Sequence, residues 1–287
     1  MKNNRRIMQR KATGKIREVS EGKVTVEVPL PLASVLMGMP QVIRELAQDM
    51  GILLMTAVME SECALGLDKD GRKHIMGLRE GATENKEVCI GLLEDMARRG
   101  LSVSKDYLFV LDGSKALRSA VTRMFGSTVA VQRCQQHKRR NVREYLPPEH
   151  QEAIDARIRA AYGMLDYEQA KHSLELTVKY LERLNPSAAA SLREGLEETL
   201  TVHRLGITGL LRKTLCTTNP IESCFSMTRA ITGRVKWWRN GEMVHRWAVA
   251  ALLRAEMKFR RIKGYREIPK LMGALGQKSV DRKEVAA

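Results

Sequence analysis

The sequence has no apolar run near the ~20 residues a membrane-spanning helix needs, so an integral membrane protein is not expected. Residues 1–15 are basic and polar with no apolar signal core, so export is not expected either. Cysteines are few, scattered and odd in number (Cys63, Cys89, Cys134, Cys216, Cys224), which suits a reducing cytoplasm and not a disulfide framework. Internal repeats are absent. Acids are scarce too: 33 Asp and Glu against 49 Lys and Arg leave a net charge of +16, which predicts a polyanionic partner, nucleic acid ahead of a membrane surface. What is present, 44% hydrophobic residues in 287, is ample for a core in one large domain or two small ones.

Along the chain, residues 23–28 alternate as a short strand that Pro29 and Pro31 break. In residues 41–60 the apolar positions Val42, Ile43, Leu46, Met50, Leu53, Leu54, Ala57 and Val58 recur at helical spacing and read as one amphipathic helix. Two apolar runs, 63–67 and 73–78, flank Asp68-Lys69-Asp70-Gly71 as a hairpin. A helix over 83–99, a strand over 107–112, a helix over 114–124 and a strand over 128–132 then alternate, the pattern of an α/β layer architecture. After Tyr145-Leu146-Pro147-Pro148 strand signals stop, and 150–215 reads as all-helical with breaks at Asn185-Pro186 and Gly206. One helix opens at Asn219 and another covers 242–261. On the latter, Val244, Trp247, Ala248, Ala251, Leu252, Ala255 and Phe259 mark one face, leaving Arg246, Arg254, Lys258 and Arg261 to the others.

The chemistry centres on two acids. Asp112 ends the apolar run Tyr107-Leu108-Phe109-Val110-Leu111, and Glu222 sits in the first turn of the helix opened by Thr217-Thr218-Asn219-Pro220. Paired hard carboxylates of this kind hold the divalent ions that clamp attacking and leaving oxygens in phosphoryl transfer. Each has a local alternative. An Asp before Gly113-Ser114 can cap the next helix, and Asn219-Pro220-Ile221-Glu222 reads as an N-cap with its reciprocal glutamate. Cys134 and His137 form half a zinc site, but Cys216, Cys224 and His245 offer no matching second half, so zinc is not expected. His137 can instead order the acids or contact phosphate, or simply pack at a helix start.

Five segments occur together and in order: Gly77-Leu78-Arg79-Glu80-Gly81-Ala82-Thr83-Glu84-Asn85, Leu111-Asp112-Gly113, Cys134-Gln135-Gln136-His137-Lys138, Thr217 to Ser223, and Trp237-Trp238-Arg239-Asn240-Gly241-Glu242-Met243. In this the chain resembles Mutator-type transposases of bacterial insertion sequences from about residue 63 to 275. The resemblance implies a ribonuclease H-like α/β core with an all-helical insertion, a catalytic Asp-Asp-Glu set holding two Mg2+ or Mn2+ ions, double-stranded DNA (element ends and target) as partner, a homo-oligomer on DNA, and a cytoplasmic, nucleoid-associated protein. Asp112 falls on the second acid, Glu222 on the third, and Cys134 with His137 on the family's Cys-x-x-His motif.

The family's first acid, in an Asp-Gly dipeptide on a strand just before Cys63-Ala64-Leu65-Gly66-Leu67, has no counterpart. With residues 41–60 read as helix, the expectation is an internal deletion near 60–63 that removes that strand, leaves the sheet incomplete and disables catalysis. Asp49, Glu60 and Glu62 are the nearby acids. The expected organisation is a 1–60 N-terminal remnant with its helix, the first part of the core over 61–145, the helical insertion over 146–215, the last core helices over 216–275, and a disordered 276–287 tail. Two basic clusters supply the expected DNA surface: Lys138, Arg139, Arg140 and Arg143, then Arg234, Lys236, Trp237, Trp238 and Arg239. Phosphate neutralisation by such clusters is salt-sensitive, and an exposed Trp can stack on unpaired bases, although burial against the insertion is the commoner fate of Trp.

Overall fold

Leu108, Phe109, Val110 and Leu111 are all buried because they lie in a sheet covered on both faces. The computed structural model describes residues 15–20, 23–27, 50–58, 61–80, 86–235, 237 and 241–285. Strands β1 (Lys15–Ser20) and β2 (Lys23–Glu27) form an antiparallel ribbon. Five more form a mixed sheet: β3 (Met50–Val58), β4 (Ser61–Asp68), β5 (Lys73–Glu80), β6 (Leu108–Leu111) and β7 (Ala130–Arg133), in the order β5-β4-β3-β6-β7. β3, β4 and β5 meander antiparallel, and β3, β6 and β7 run parallel. Gly71, at φ 73°, turns the β4–β5 hairpin as its position after Asp70 predicts.

Helices α1 (Lys86–Arg98) and α2 (Lys115–Phe125) cover one face, where Leu92, Leu93, Met96, Leu117 and Val121 meet Ala64, Met76, Phe109 and Leu111. After β7 come α3 (Gln135–Glu144) and a helical block of α4 (Pro148–Gly163), α5 (Tyr167–Leu184), α6 (Pro186–Arg193), α7 (Thr201–Arg204) and α8 (Gly209–Leu215). The block has its own core of Ile154, Ile158, Leu174, Leu181, Leu192 and Leu200. It is fastened to β7 by buried polar groups. Gln132 donates to Thr199 O (2.8 Å) and accepts from Val202 N (2.9 Å), and Thr201 donates to Val131 O (2.6 Å). An otherwise open strand edge is thereby satisfied. The opposite sheet face is covered by α9 (Asn219–Thr232), α10 (Gly241–Glu256) and α11 (Ile268–Val285), whose Ile221, Cys224, Leu252, Ala255 and Leu271 pack on Cys63, Leu65, Leu108 and Val110.

Three expectations are corrected. Residues 50–58, read as the end of a helix, are strand β3; residues 41–49 lie outside the described residues. In MGILLMTAV nearly every position is apolar, so a central strand covered on both faces and a buried helical turn look alike, and pairing with β4 and β6 selects the strand. The sheet is therefore not missing the strand beside β6, and a boundary at 60/61 would separate two paired strands. Nor is the C-terminal tail irregular: α11 continues to Val285, since good helix formers such as Gln277, Lys278, Arg282, Lys283 and Glu284 extend it.

One buried carboxylate marks the seam between β5 and α10. Glu256 Oε1 accepts from Ile75 N (3.2 Å) and stands 4.0 Å from His74 Nδ1, while Oε2 is buried without a hydrogen-bond partner. Burial pushes its pKa up from 4.5 to about 7, with the Ile75 bond and His74 only partly offsetting it. Between about pH 4.5 and 7 the folded chain holds a proton that the unfolded chain has released, so stability falls as pH rises through this window. Glu256→Gln is expected to flatten the dependence and to raise unfolding free energy at pH 8 by about 1–3 kcal/mol, read from urea titrations at several pH values.

Candidate functional site

Three segments converge at the carboxyl ends of β6 and β7. Asp112 follows β6 directly, and its Oδ1 accepts from Ser114 N (2.9 Å). Gly113, at φ 117°, makes the turn and leaves room for Arg133, whose Nε would lie 2.9 Å from any Cβ there. Ser114, not Asp112, caps α2, accepting from Leu117 N. Cys134 N donates to Leu111 O (2.7 Å), setting the start of α3 beside Asp112, and Gln135 N donates to Cys216 O (2.9 Å), which brings in the chain leading to α9. The carboxyl edge of parallel strands is where open α/β sheets place their sites.

At this junction Thr218 is the hub, and reading the motif with Asn219 as cap passes over it. The N-cap residue of α9 is Thr218, one position earlier. Its buried hydroxyl lies 2.6 Å from Glu222 Oε1, 3.3 Å from His137 Nδ1 and 3.4 Å from Cys134 Sγ. A hydroxyl has one proton. Glu222 Oε1, in the short, charge-assisted contact, is the stronger acceptor for it, Cys134 Sγ is the longer alternative acceptor, and His137 Nδ1 lies beside the same oxygen. Glu222 is thus held by a side chain rather than by a reciprocal bond to a backbone N–H.

The electrostatics tie both acids to one imidazole. His137 Nδ1 is 3.8 Å from Glu222 Oε1. Its pKa is raised first by the hydrogen bond to Cys134, against the effect of burial, and further by the charges of Cys134, Asp112 and Glu222. For the Cys134 thiol, burial is the largest influence and pushes up, but hydrogen bonds from His137 and Thr218 together outweigh it, and the net direction is down. Glu222, Cys134 and His137 therefore meet at the Thr218 hydroxyl, and the bond from Cys134 N to Leu111 O sets the start of α3 next to the residue before Asp112. Thr218→Val, which removes only the hydroxyl, is expected to weaken Mn2+ binding about 10-fold with little change in Tm, and Thr218→Ser to restore it, measured by calorimetric titration.

The basic residues separate into distinct environments. Lys138 is fully buried and donates to Ser191 O and Glu194 O (2.6 Å), with its pKa pushed down to about 8 by burial and by Arg133. Arg139 makes a bidentate pair with the buried Asp155 (2.7 and 2.6 Å). Lys138 is closed off from DNA and the Arg139 charge is paired internally: the helix bearing them turns one face into the helical block, and a cation carried there needs internal acceptors. Arg140 and Arg143 are exposed, as is Arg234. Trp237 is 77% exposed and not packed on the block. Lys236, Trp238 and Arg239 lie outside the described residues. A cleft of about 330 Å³ beside Gly113 holds Lys115, Arg118 and Arg133, but Glu194 and Glu198 from the block pair with them.

As a metal site the donor set is short. Among the described residues no group of three or more His, Cys, Asp or Glu side chains is placed to hold an ion. Asp112 and Glu222 supply oxygen ligands suited to one Mg2+ or Mn2+ completed by water, not to a pair. β3 contains no Asp or Glu. Of the nearby acids, Glu62 pairs with Ala57 of β3. Asp49 and Glu60 lie outside the described residues. No described helix is long and apolar enough to cross a membrane.

A five-stranded mixed sheet with helices on both faces and an interrupting helical block defines an α/β class of protein. Within that class the chain belongs to the Mutator family of transposases, whose profile matches residues 52–261. That match begins inside β3. The chain is 31% identical over 168 residues to the transposase for insertion sequence element IS6120 of Mycolicibacterium smegmatis, covering 58% of this chain and 50% of that one. To the transposase for insertion sequence element IST2 of Acidithiobacillus ferrooxidans it is 27% identical over 172 residues, 60% and 57% of the two chains. The transposase for IS256 in transposon Tn4001 of Staphylococcus aureus is 26% identical over 200 residues, 68% and 50%. The chain spans about half the length of these curated relatives.

Proposed function

We propose that this chain is a transposase core of ribonuclease H-like fold that engages double-stranded DNA at insertion-element ends but cuts and joins it poorly. The observation that carries the reading is the convergence of Asp112 and Glu222 on His137, where both charges act on one imidazole. The order β5-β4-β3-β6-β7, with an acid at the end of β6 and another on α9, is in keeping with that fold. A bound divalent ion would polarise a phosphodiester and lower the pKa of an attacking water or 3′-hydroxyl. Asp112 and Glu222 would hold it. Thr218 orients the Glu222 carboxylate, and His137 balances the acids' charge until a cation arrives. The impairment follows from β3, the strand between β4 and β6, which brings no carboxylate to the same edge.

Domain roles follow the same reading: residues 50–145 with 216–285 form the catalytic core, and 146–215 is an insertion that braces β7. A homo-oligomer on DNA, the arrangement the family resemblance implies, belongs to the same proposal. The test pairs Mn2+ titration with a strand-transfer assay on end-sequence duplexes. Wild-type chain is expected to bind Mn2+ about 10-fold more tightly than Asp112→Asn or Glu222→Gln, and to join ends near background. Equal Mn2+ affinity in all three would remove the metal role, and robust magnesium-dependent joining would overturn the impairment.

A further inference from the structure

The net charge of +16 is not spread evenly. Residues 146–215 hold nine Lys and Arg against ten Asp and Glu, whereas residues 223–270 hold twelve against three. In the helical block acids match the cations in number, and three of the nine are in ion pairs: Arg159 with Asp155, Lys171 with Glu197 and Arg193 with Glu182. The outer side of α10 differs. Arg254, Lys258, Arg260 and Arg261 are exposed, while Glu256, the only acid between residues 243 and 261, is turned inward onto Ile75. Trp247 (41% exposed), which helical spacing assigns to the core face, lies among these cations, because the inward stripe is instead Ala251, Leu252 and Ala255.

We infer that this outer face of α10 and the turn after it is a second docking surface for duplex DNA, separate from Arg140 and Arg143. It rests on the reading of the chain as a DNA-engaging transposase core and says where the flank of the substrate lies. Arg254 and Lys258 lie four residues apart where α10 ends, close enough to meet neighbouring phosphates of one backbone. α9 links this surface to the site. It carries Glu222 in its first turn and packs against α10. Duplex DNA fits better than an anionic membrane, since the exposed large apolar residues of this segment, Val244, Trp247 and Met257, are few beside its exposed cations.

Binding of a labelled 40-base-pair duplex, followed by anisotropy across salt concentrations, tests it. Arg254→Gln with Lys258→Gln is expected to weaken binding about 10-fold or more at low salt and to reduce the slope of log K against log salt by about 2. Lys179→Gln with Arg183→Gln, the same charge change on α5, should leave both nearly unaltered. Trp247→Ala should lower affinity without changing the slope. Surface changes of this kind alter stability little, and circular dichroism verifies the fold. Equal effects of the two charge pairs would overturn the inference. So would unchanged DNA binding accompanied by altered sedimentation or by loss of pelleting with phosphatidylserine vesicles, since the face would then serve a second copy or a membrane. If wild-type chain neither cleaves nor binds Mn2+ yet the α10 pair still loses affinity, the catalytic reading fails and this surface stands. If wild-type chain binds no duplex, both fall.

Discussion

Thr56→Asp is expected to raise magnesium-dependent cleavage of duplex DNA by this chain about 10²-fold or more. The register of β3 is the reason. Met55 pairs with Leu111, the residue before Asp112, so position 56 stands next to Asp112 across the parallel pair. Thr56 also pairs with Cys63, which packs with Ile221 and Cys224 of α9, the helix that carries Glu222. A carboxylate there would supply the third oxygen donor that a second ion needs. A plasmid nicking assay reads the gain, and Asp112→Asn in the same background should abolish it. No gain, in a variant whose Mn2+ stoichiometry is unchanged from wild type, would show that position 56 does not face the site.

Lys138→Ala is expected to cost about 2–4 kcal/mol of stability while leaving the duplex affinity of the folded protein unchanged. The ammonium is fully buried and hydrogen-bonded to two backbone carbonyls, Ser191 O and Glu194 O, at the end of α6. Removing it leaves both acceptors buried and opens a cavity where α3 meets the helical block. Lys138→Met, which fills the space without donating, should recover part of the loss. Denaturant melts and anisotropy on the same preparations separate the two effects. A weakened DNA affinity at unchanged stability would return Lys138 to the binding surface.

The alternation after residue 60 was legible because each element carried its own signal: the Asp70-Gly71 turn, the apolar run ending in Asp112, and Ser114 as a cap. Residues 50–58 were not. An all-apolar stretch satisfies a period of 2 and a period of 3.6 alike, and only its partners on either side distinguish them. Within the site, Asp112, Glu222, Cys134 and His137 stood out by residue type. Thr218 did not, since a threonine before Asn-Pro looks like ordinary helix punctuation until its hydroxyl is seen 2.6 Å from a carboxylate. Among the basic clusters, Lys138 and Arg139 were indistinguishable from Arg140 and Arg143, because burial depends on what packs across from a helix and not on the helix itself.

The sequence alone determined the charge; the helical nature of residues 150–215, through local periodicity; and the identity of the two acids proposed for the site. Tertiary structure alone decided that β3 is a strand and that the strand position beside Asp112 is filled while no carboxylate accompanies it. It also decided which cations are answered internally and which face outward on α10. The division has one cause. Charge and periodicity are properties of neighbouring residues, whereas pairing, burial and desolvation belong to contacts between segments that lie far apart in the chain.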